Sequence, residues 1–526
     1  MWKTCHLAAL LAILVTTGCN GNDYPHAANS DYGRDEHMFA SGYEAIDKVY
    51  IQKPDMGYLT MGGLSALAAM DQKLSVARYP DKVDLVYDGK TQADFVVTDR
   101  FEAEDWAVLT TGAVEEARKV SSVVGNANSE AIYKAVFNGV TARLDPFSRY
   151  AGPQQAGDDR AWLQGFGGIG VTILVENGVL RVVSVMHDMP AERADIHADD
   201  VITAIDGAPT MNMDGQTIVE KLRGPVDSRV VLTVARAGAP ATLRVTITRV
   251  LVVPEMVSYR REGDIAYLRI YGFNQHTADS LRHAFRDARN EIGARMRGVV
   301  LDLRGNPGGL LDQAVAVSAL FLDHGRIVST NGRVPGSHQQ FDATSGDISE
   351  GLPIAVLANG GSASASEIVA AALQDNGRAV VIGSNSYGKG TVQTVLRMPN
   401  DGELSLTIAR FYAPSGYTLN HLGVLPTICT DNEDEDATQV LAALSAGRIA
   451  PVPVARRDTV SPDDTPALDK LRARCPVYKA ERAIDLKVAV GLLTQPDLYG
   501  KALALAETAA GVPVAQSALS QSNAQP

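Results

Sequence analysis

The chain has 526 residues, of which 48 are basic and 61 acidic, for a net charge of −13. At about 150 residues per domain this length implies three or four domains, and a hydrophobic content of 45% excludes global disorder. An acidic chain without a long basic run is a poor partner for nucleic acid or anionic lipid.

Residues 1–19 read as a processing signal: Lys3 gives a positive start, Leu7 to Val15 are apolar, and Thr16, Thr17 and Gly18 precede Cys19. The apolar run is too short for a permanent membrane span. Its ending resembles a bacterial lipobox, which would make Cys19 the lipid anchor. Thr16 departs from the usual Leu, so a cleaved, soluble form stays open. Of the four cysteines, Cys5 leaves with the signal. Export would put Cys429 and Cys475 in an oxidising compartment, where a disulfide between them is expected and two buried thiols are the alternative. No ligand set around them suggests a metal, and no cofactor is expected.

Residues 20–40 are polar and read as a tether. Residues 41–155 read as a helical domain: GGLSALAAM (62–70) and EAIYKAVFNGVTARL (130–144) have apolar positions at helical spacing. MDQKLSVARY reads as a loose echo of the first helix, and LDPFSRY (144–150) is a proline-containing stop. Residues 156–250 form a strand-rich module that opens with VTILVENGVLRVVSV (171–185), a hairpin around Asn177-Gly178. Residues 251–435 alternate buried strands with helices. The strands are DIAYLRI (264–270), RGVVLDLRG (297–305), PIAVLANG (353–360) and AVVIGS (379–384), which predicts an α/β core with a largely parallel sheet. Residues 436–526 read as a helical extension with a polar tail, QSALSQSNAQP, expected to be disordered.

Two glycine motifs mislead. Gly165-Phe166-Gly167-Gly168-Ile169-Gly170 fits G-x-G-x-x-G, but a dinucleotide site needs a helix next, and a strand follows. The stretch from Gly383 to Gly390 fits seven positions of a P-loop. The eighth, which should hold magnesium through Ser or Thr, is Gly390. There is no G-x-S-x-G elbow, no H-E-x-x-H pair, and no histidine beside the serine cluster in sequence.

That cluster is GGSASASEI (360–368). Ser364 and Glu367 match the capping box S-x-x-E, so one reading is a helix cap alone. The other uses the same geometry, because free N–H groups at a helix start stabilise an oxyanion if Ser364 attacks a carbonyl. Ala365 would be one donor, and the glycines of LRGNPGG could supply a second. Lys389 in SYGKG is a surface lysine or, if buried, a neutral base for the serine proton, with Gln393 to orient its amine.

The stretch GGSASASEIVAAALQDNGRAVVIGSNSYGKGTVQ resembles the signature of the carboxyl-terminal processing (tail-specific) serine proteases, peptidase family S41. LDLRGNPGGLLDQAV, FYAPSGYTLNHLGVLPTI, LDPFSRY and GFGGIGV are similarly placed pieces, so the resemblance covers about residues 41 to 430. It implies a helical N-terminal region, a PDZ domain over 156–250, a crotonase/ClpP-like α/β protease core over 251–435, and a helical C-terminal region. Ser364 would be the nucleophile, Lys389 the general base and Gln393 its partner. Ala365 with Gly308 or Gly309 would form the oxyanion hole, and Asp375 would support the site. Gly165, Phe166, Gly167, Gly168, Ile169 and Gly170 would form the loop that captures a peptide carboxylate. The implied partners are proteins or peptides with accessible C-termini, with no nucleic acid, and with a membrane only through the lipid anchor. The implied location is the periplasm or cell envelope of a bacterium. A catalytically silent PDZ scaffold is the alternative, and an enzyme gated by an envelope adaptor reads identically in sequence. Asp195 and Ala198 stand where the family usually has glycines, and LPTI (425–428) replaces a Pro-Asp pairing.

Overall fold

The computed structural model describes residues 30–510 apart from 345, 433, 450–459 and 462. The signal segment, Cys19 and the polar tail lie outside the described residues. Among the described residues, no helix is long and apolar enough to cross a membrane.

The first helix, Ser30–Val49, begins inside the segment expected to be a tether. Its Met38, Phe39, Tyr43 and Ile46 are fully buried, and this apolar face holds the helix against Phe137 of the helix Ser129–Thr141. The helix Met56–Ala68 packs on that same helix through glycines, since a Cβ at Gly139 would lie 2.3 Å from the Gly62 carbonyl oxygen. The domain is not wholly helical. Leu74–Arg78, Lys82–Tyr87 and Lys90–Val96 form an antiparallel three-stranded sheet. The reading of MDQKLSVARY as a helical echo is therefore wrong. The signal against it was Asp88-Gly89, both at positive φ (51° and 73°), a hairpin turn between alternating segments.

The main sheet of the strand-rich module expected to be a PDZ domain runs in the order Leu243–Thr248, Arg229–Ala235, Val201–Ile205, Val179–Val185, Val171–Glu176. Val171–Glu176 is therefore a free edge, and the helix Gly215–Leu222 flanks it. The assignment of Ala198 to a glycine position needs correction. The left-handed residues in this turn are Asp195 (φ 59°) and Asp199 (φ 69°), and Ala198 is not among them.

The α/β core has a six-stranded sheet ordered Val257–Glu262, Ile265–Ile270, Gly298–Asp302, Ile354–Ala358, Val380–Gly383, Ile428–Cys429. Only the first pair is antiparallel. The helices Thr277–Ile292, Leu311–Ala319 and Ala365–Asp375 contribute to the core on one face. The other face is closed by Ala437–Ser445, Ala483–Leu493 and Pro496–Ala510. A parallel sheet must be buried on both sides, so the C-terminal region completes the core rather than trailing from it. A second sheet contains the hairpin Thr391–Arg397/Glu403–Tyr412, whose Met398, Leu404 and Leu406 join the N-terminal domain's hydrophobic core.

Candidate active site

The strands Gly298–Asp302 and Ile354–Ala358 are parallel and in register, so the loops at their carboxyl ends emerge side by side. The three serines of GGSASASEI then diverge. Ser362 Oγ donates to Leu303 O at 2.8 Å, and Ser366 Oγ donates to Asn306 O at 2.9 Å. Both hydroxyls are buried stitches between the two loops. Ser364 instead sits half-buried at the N-cap of Ala365–Asp375 with φ 57° and ψ −115°. A non-glycine residue held there costs about 1–3 kcal/mol and persists only where its neighbours over-determine it.

Those neighbours are on the LRGNPGG loop, expected to supply an oxyanion donor. A Cβ on Gly308 (φ 101°) would meet Ala363 O at 2.7 Å and the Ala365 nitrogen at 3.0 Å, so the backbone of one loop rests on the other. Gly308 N–H already donates to Asn306 Oδ1 at 2.8 Å, which removes it as an oxyanion donor. Among the described residues, the N–H groups of Ala365 and Gly309 form no hydrogen bond. Phe273 holds Gly309 in place by accepting from Leu310 N (2.8 Å) and donating to Gly308 O (3.0 Å).

Glu367 was read as a cap only, and its larger role was missed. Its carboxylate is wholly buried. Oε2 accepts from the backbone N–H of Ser364 (2.7 Å) and of Lys389 (3.0 Å), and Oε1 accepts from Gly388 N (2.7 Å) and from Ser386 Oγ. Burial pushes its pKa up while these four donors pull the other way. The available signal was its place in the helix's first turn, followed by Ile368 and Val369. A carboxylate on that buried face needs several donors.

Lys389 is half-buried, with its Nζ 5.4 Å from the centroid of Phe147 in LDPFSRY. Burial, and then the Arg149 guanidinium, lower its pKa. Gly390 admits no side chain, since a Cβ would lie 1.8 Å from the Asn420 nitrogen in GYTLNHLG. Among the described residues, no hydrogen bond joins Ser364 Oγ to Lys389 Nζ. Gln393 lies on the strand Thr391–Arg397. It sits at a bulge, and its amide donates to Thr391 Oγ1 (2.8 Å) and Thr407 Oγ1 (3.3 Å). Thr407 in turn donates to Asp145 Oδ1 at 3.1 Å. Asp375 lies ten positions beyond Ala365, at the far end of a helix rising about 1.5 Å per residue, and accepts from Ser415 N (3.1 Å) and Ser415 Oγ (2.6 Å).

Behind the oxyanion loop, Arg304 pairs with Asp302 (Nε to Oδ1 2.9 Å) and with Asp485 (Nη1 to Oδ2 3.1 Å), all buried. The sequence reading did not single out any of the three.

In the PDZ domain, Phe166–Gly168 pairs with Val250–Val252. The loop through Gly170 closes one end of a groove of about 870 Å³, whose walls include Ile173 on the edge strand and Val219 and Leu222 on the facing helix. His276 and Ser280 of the protease core also reach it. A cavity of about 930 Å³ in the N-terminal domain, lined by Asp55, Arg78, Glu102 and Trp106, contains none of the expected site residues.

The model of peptidase family S41 matches residues 264–430, and the model of the PDZ domain matches residues 181–236. The chain is 43% identical over 309 residues to a carboxy-terminal-processing protease of Bartonella bacilliformis, covering 58% of this chain and 70% of that one. It is 33% identical over 307 residues to a carboxyl-terminal-processing protease of Synechocystis, covering 57% and 71%. A solved photosystem II D1 C-terminal processing protease aligns with a TM-score of 0.38 at 24% identity, over 75% of this chain and 92% of that one.

Proposed function

Since the chain belongs to peptidase family S41, the carboxy-terminal-processing serine proteases, we propose that it is an exported endopeptidase with a Ser364–Lys389 dyad, acting on proteins held by their C-termini in the PDZ domain. The observation that carries this is the single buried oxygen of Glu367 that binds the backbone N–H of both residues. It fixes the hydroxyl-bearing and amine-bearing segments on each other, while burial favours the neutral amine.

In the reaction, neutral Lys389 takes the proton from Ser364 Oγ, which bonds to the scissile carbonyl carbon. The resulting oxyanion accepts from the N–H groups of Ala365 and Gly309. Collapse breaks the C–N bond, and the Lys389 ammonium protonates the leaving amine. Water then attacks the acyl ester with Lys389 again as base, releasing the new carboxyl end and the serine. Catalytic hydrogen bonds are often open without substrate. Here the lysine leaves the Phe147 ring to close the dyad as substrate enters.

The substrate C-terminus adds antiparallel to the free edge Val171–Glu176, with its carboxylate on the loop of Gly165 to Gly170 and its apolar side chains between Ile173 and Val219. The pattern of residues 1–19 supports export to the bacterial envelope with Cys19 as anchor. Palmitate labelling of the native chain that persists in Cys19→Ser would remove the anchor.

The decisive experiment is digestion of casein and of a C-terminally tagged peptide. Ser364→Ala and Lys389→Ala are each expected to abolish cleavage while the tag still binds. Undiminished cleavage by either variant sinks the dyad. Binding without cleavage by the native chain favours a silent scaffold, and cleavage restored by envelope extract favours an adaptor-gated enzyme.

A further inference from the structure

Residues 475–482, Cys-Pro-Val-Tyr-Lys-Ala-Glu-Arg, lie beyond the peptidase match, yet they touch all three loops that carry the proposed chemistry. On the nucleophile loop, Gly360 N donates to Tyr478 O at 2.7 Å, and Asn359 Nδ2 donates to Lys479 O at 2.8 Å. The fit is close, since a Cβ at Gly360 would lie 2.3 Å from Val477 Cγ1 and 3.0 Å from Tyr478 O, so a larger residue would push the segment away. On the oxyanion loop, Arg304 Nη1 donates to Arg482 O at 2.9 Å. Where the Lys389 loop begins, Ser384 Oγ donates to Tyr478 O at 3.2 Å.

Both ends of the segment are pinned to one edge of the core sheet. Cys475 is bonded to Cys429 in the edge strand Ile428–Cys429, with Cα atoms 5.8 Å apart. Beyond the other end, buried Asp485 accepts from Thr430 Oγ1 at 2.7 Å and from Arg304 Nη1 at 3.1 Å.

We infer that residues 475–482 are a positioning clamp for the catalytic loops, closed by the Cys429–Cys475 disulfide. The inference rests on the Ser364–Lys389 reading and adds a requirement to it. The segment's bonds to the loops are made mostly by its own backbone carbonyls, while its side chains tie it to neighbouring elements, Glu481 to Arg269 and Tyr478 Oη to Asp485 at 3.1 Å. Reduction by a dithiol transfers two electrons and two protons to the bridge. It yields the two thiols and the cyclic disulfide of the reductant, and it removes the covalent tie at one end of the clamp, leaving that end held by the packing of the helix Thr465–Arg472. The loops then keep their fold but lose registration, and small misplacements of reacting groups have large kinetic costs.

The test uses the full mature chain and an internally quenched peptide, well below the melting temperature of every form. The native enzyme is assayed before dithiothreitol, after it, and after reoxidation, beside Cys475→Ser and the double variant Cys429→Ser/Cys475→Ser. The expected result is a kcat lowered roughly tenfold to a hundredfold, with KM and affinity for a C-terminal peptide unchanged. Recovery should follow reoxidation, and the double variant should be indifferent to the dithiol. Retention of kcat while only Tm falls would show an ordinary stabilising cross-link and overturn the clamp. So would free thiols in the isolated native chain, mapped by mass spectrometry. Ser364→Ala in the oxidised chain keeps the two readings apart. Inactivity of this variant together with a dithiol-insensitive kcat of the native enzyme rejects the clamp alone, and cleavage by this variant rejects the dyad and with it the clamp.

Discussion

In the protease core, the strands that lead to Ser364 and to Gly309, the proposed oxyanion donor, are buried on both faces. Their loops are stitched together by Ser362 Oγ, by Ser366 Oγ and by Asn306 O, which also accepts from Ala363 N, while Glu367 ties the Ser364 loop to that of Lys389. In the PDZ domain, the strand expected to meet substrate has one unpaired edge, with Leu174 and Val175 exposed, over a single smaller hydrophobic core. Both regions use glycine loops and free N–H groups, but for different tasks. An oxyanion forms for an instant at a fixed point, so its donors must be held before it appears. A peptide terminus must enter, pair and leave, so its strand must stay open. On the proposed reading, rigidity is concentrated where bonds change, and accessibility where a chain is gripped.

Glu367→Gln should break the rigid side most severely. Glutamine offers one oxygen and a donor amide to a pocket containing four donors, leaving some buried and unpaired at about 1–3 kcal/mol each. We expect kcat to fall roughly a hundredfold or more, and Tm to fall with it. Affinity for a C-terminal peptide should be unchanged. Weakened peptide binding would mean that the two regions are not separate.

Val219→Asp should do the reverse. A carboxylate in the apolar groove opposite Ile173, near the substrate's own carboxylate, should weaken C-terminal peptide binding roughly tenfold. The turnover of a short peptide that does not occupy the groove should stay the same. Equal losses on both substrates would contradict the division of labour.

A smaller effect sharpens the chemistry within the core. Protonated Lys389 cannot accept the serine proton, so activity should rise with pH through the lowered lysine pKa, with a midpoint below 10.5. Arg149 is a cause of that lowering. Arg149→Ala should raise the lysine pKa, move the midpoint to higher pH and reduce the rate at neutral pH about threefold. A midpoint that stays in place would assign the acidic limb to another group.

Legibility in sequence follows the same division. The strand and helix order of the core, the open hairpin of the PDZ domain and the identity of Ser364 and Lys389 as candidates all depend on local patterns. The roles of Glu367, Asp302 and Asp485 do not. Each depends on which distant backbone arrives beside it, and Asp485 comes from a helix far along the chain from Arg304. For Gln393, the spacing from Lys389 was visible in sequence, while the bulge and the bonds of its amide to Thr391 and Thr407 were not. The choice between Gly308 and Gly309 was also hidden, because it is decided by Asn306 folding back on its own loop.

The smallest predicted effect tests the PDZ turn whose glycine position the sequence reading placed at Ala198. Asp199 is exposed at φ 69°, with only a loose ion pair to Arg181 at 3.7 Å. Glycine relieves a left-handed strain of about 1 kcal/mol, but loses up to a similar amount to backbone entropy. Asp199→Gly should therefore raise the unfolding temperature slightly or leave it level. Ala198→Gly adds the entropy cost with no strain to relieve, and should lower stability by about 0.5–1 kcal/mol. Asp195→Gly (φ 59°) also removes the contact to Arg236 at 3.1 Å, and should fall between the two. Thermal unfolding of the three variants side by side gives the order. If Ala198→Gly proved the most stable, the left-handed positions in this turn would have to be reassigned, and the grip of the open edge would have to be explained from a different backbone.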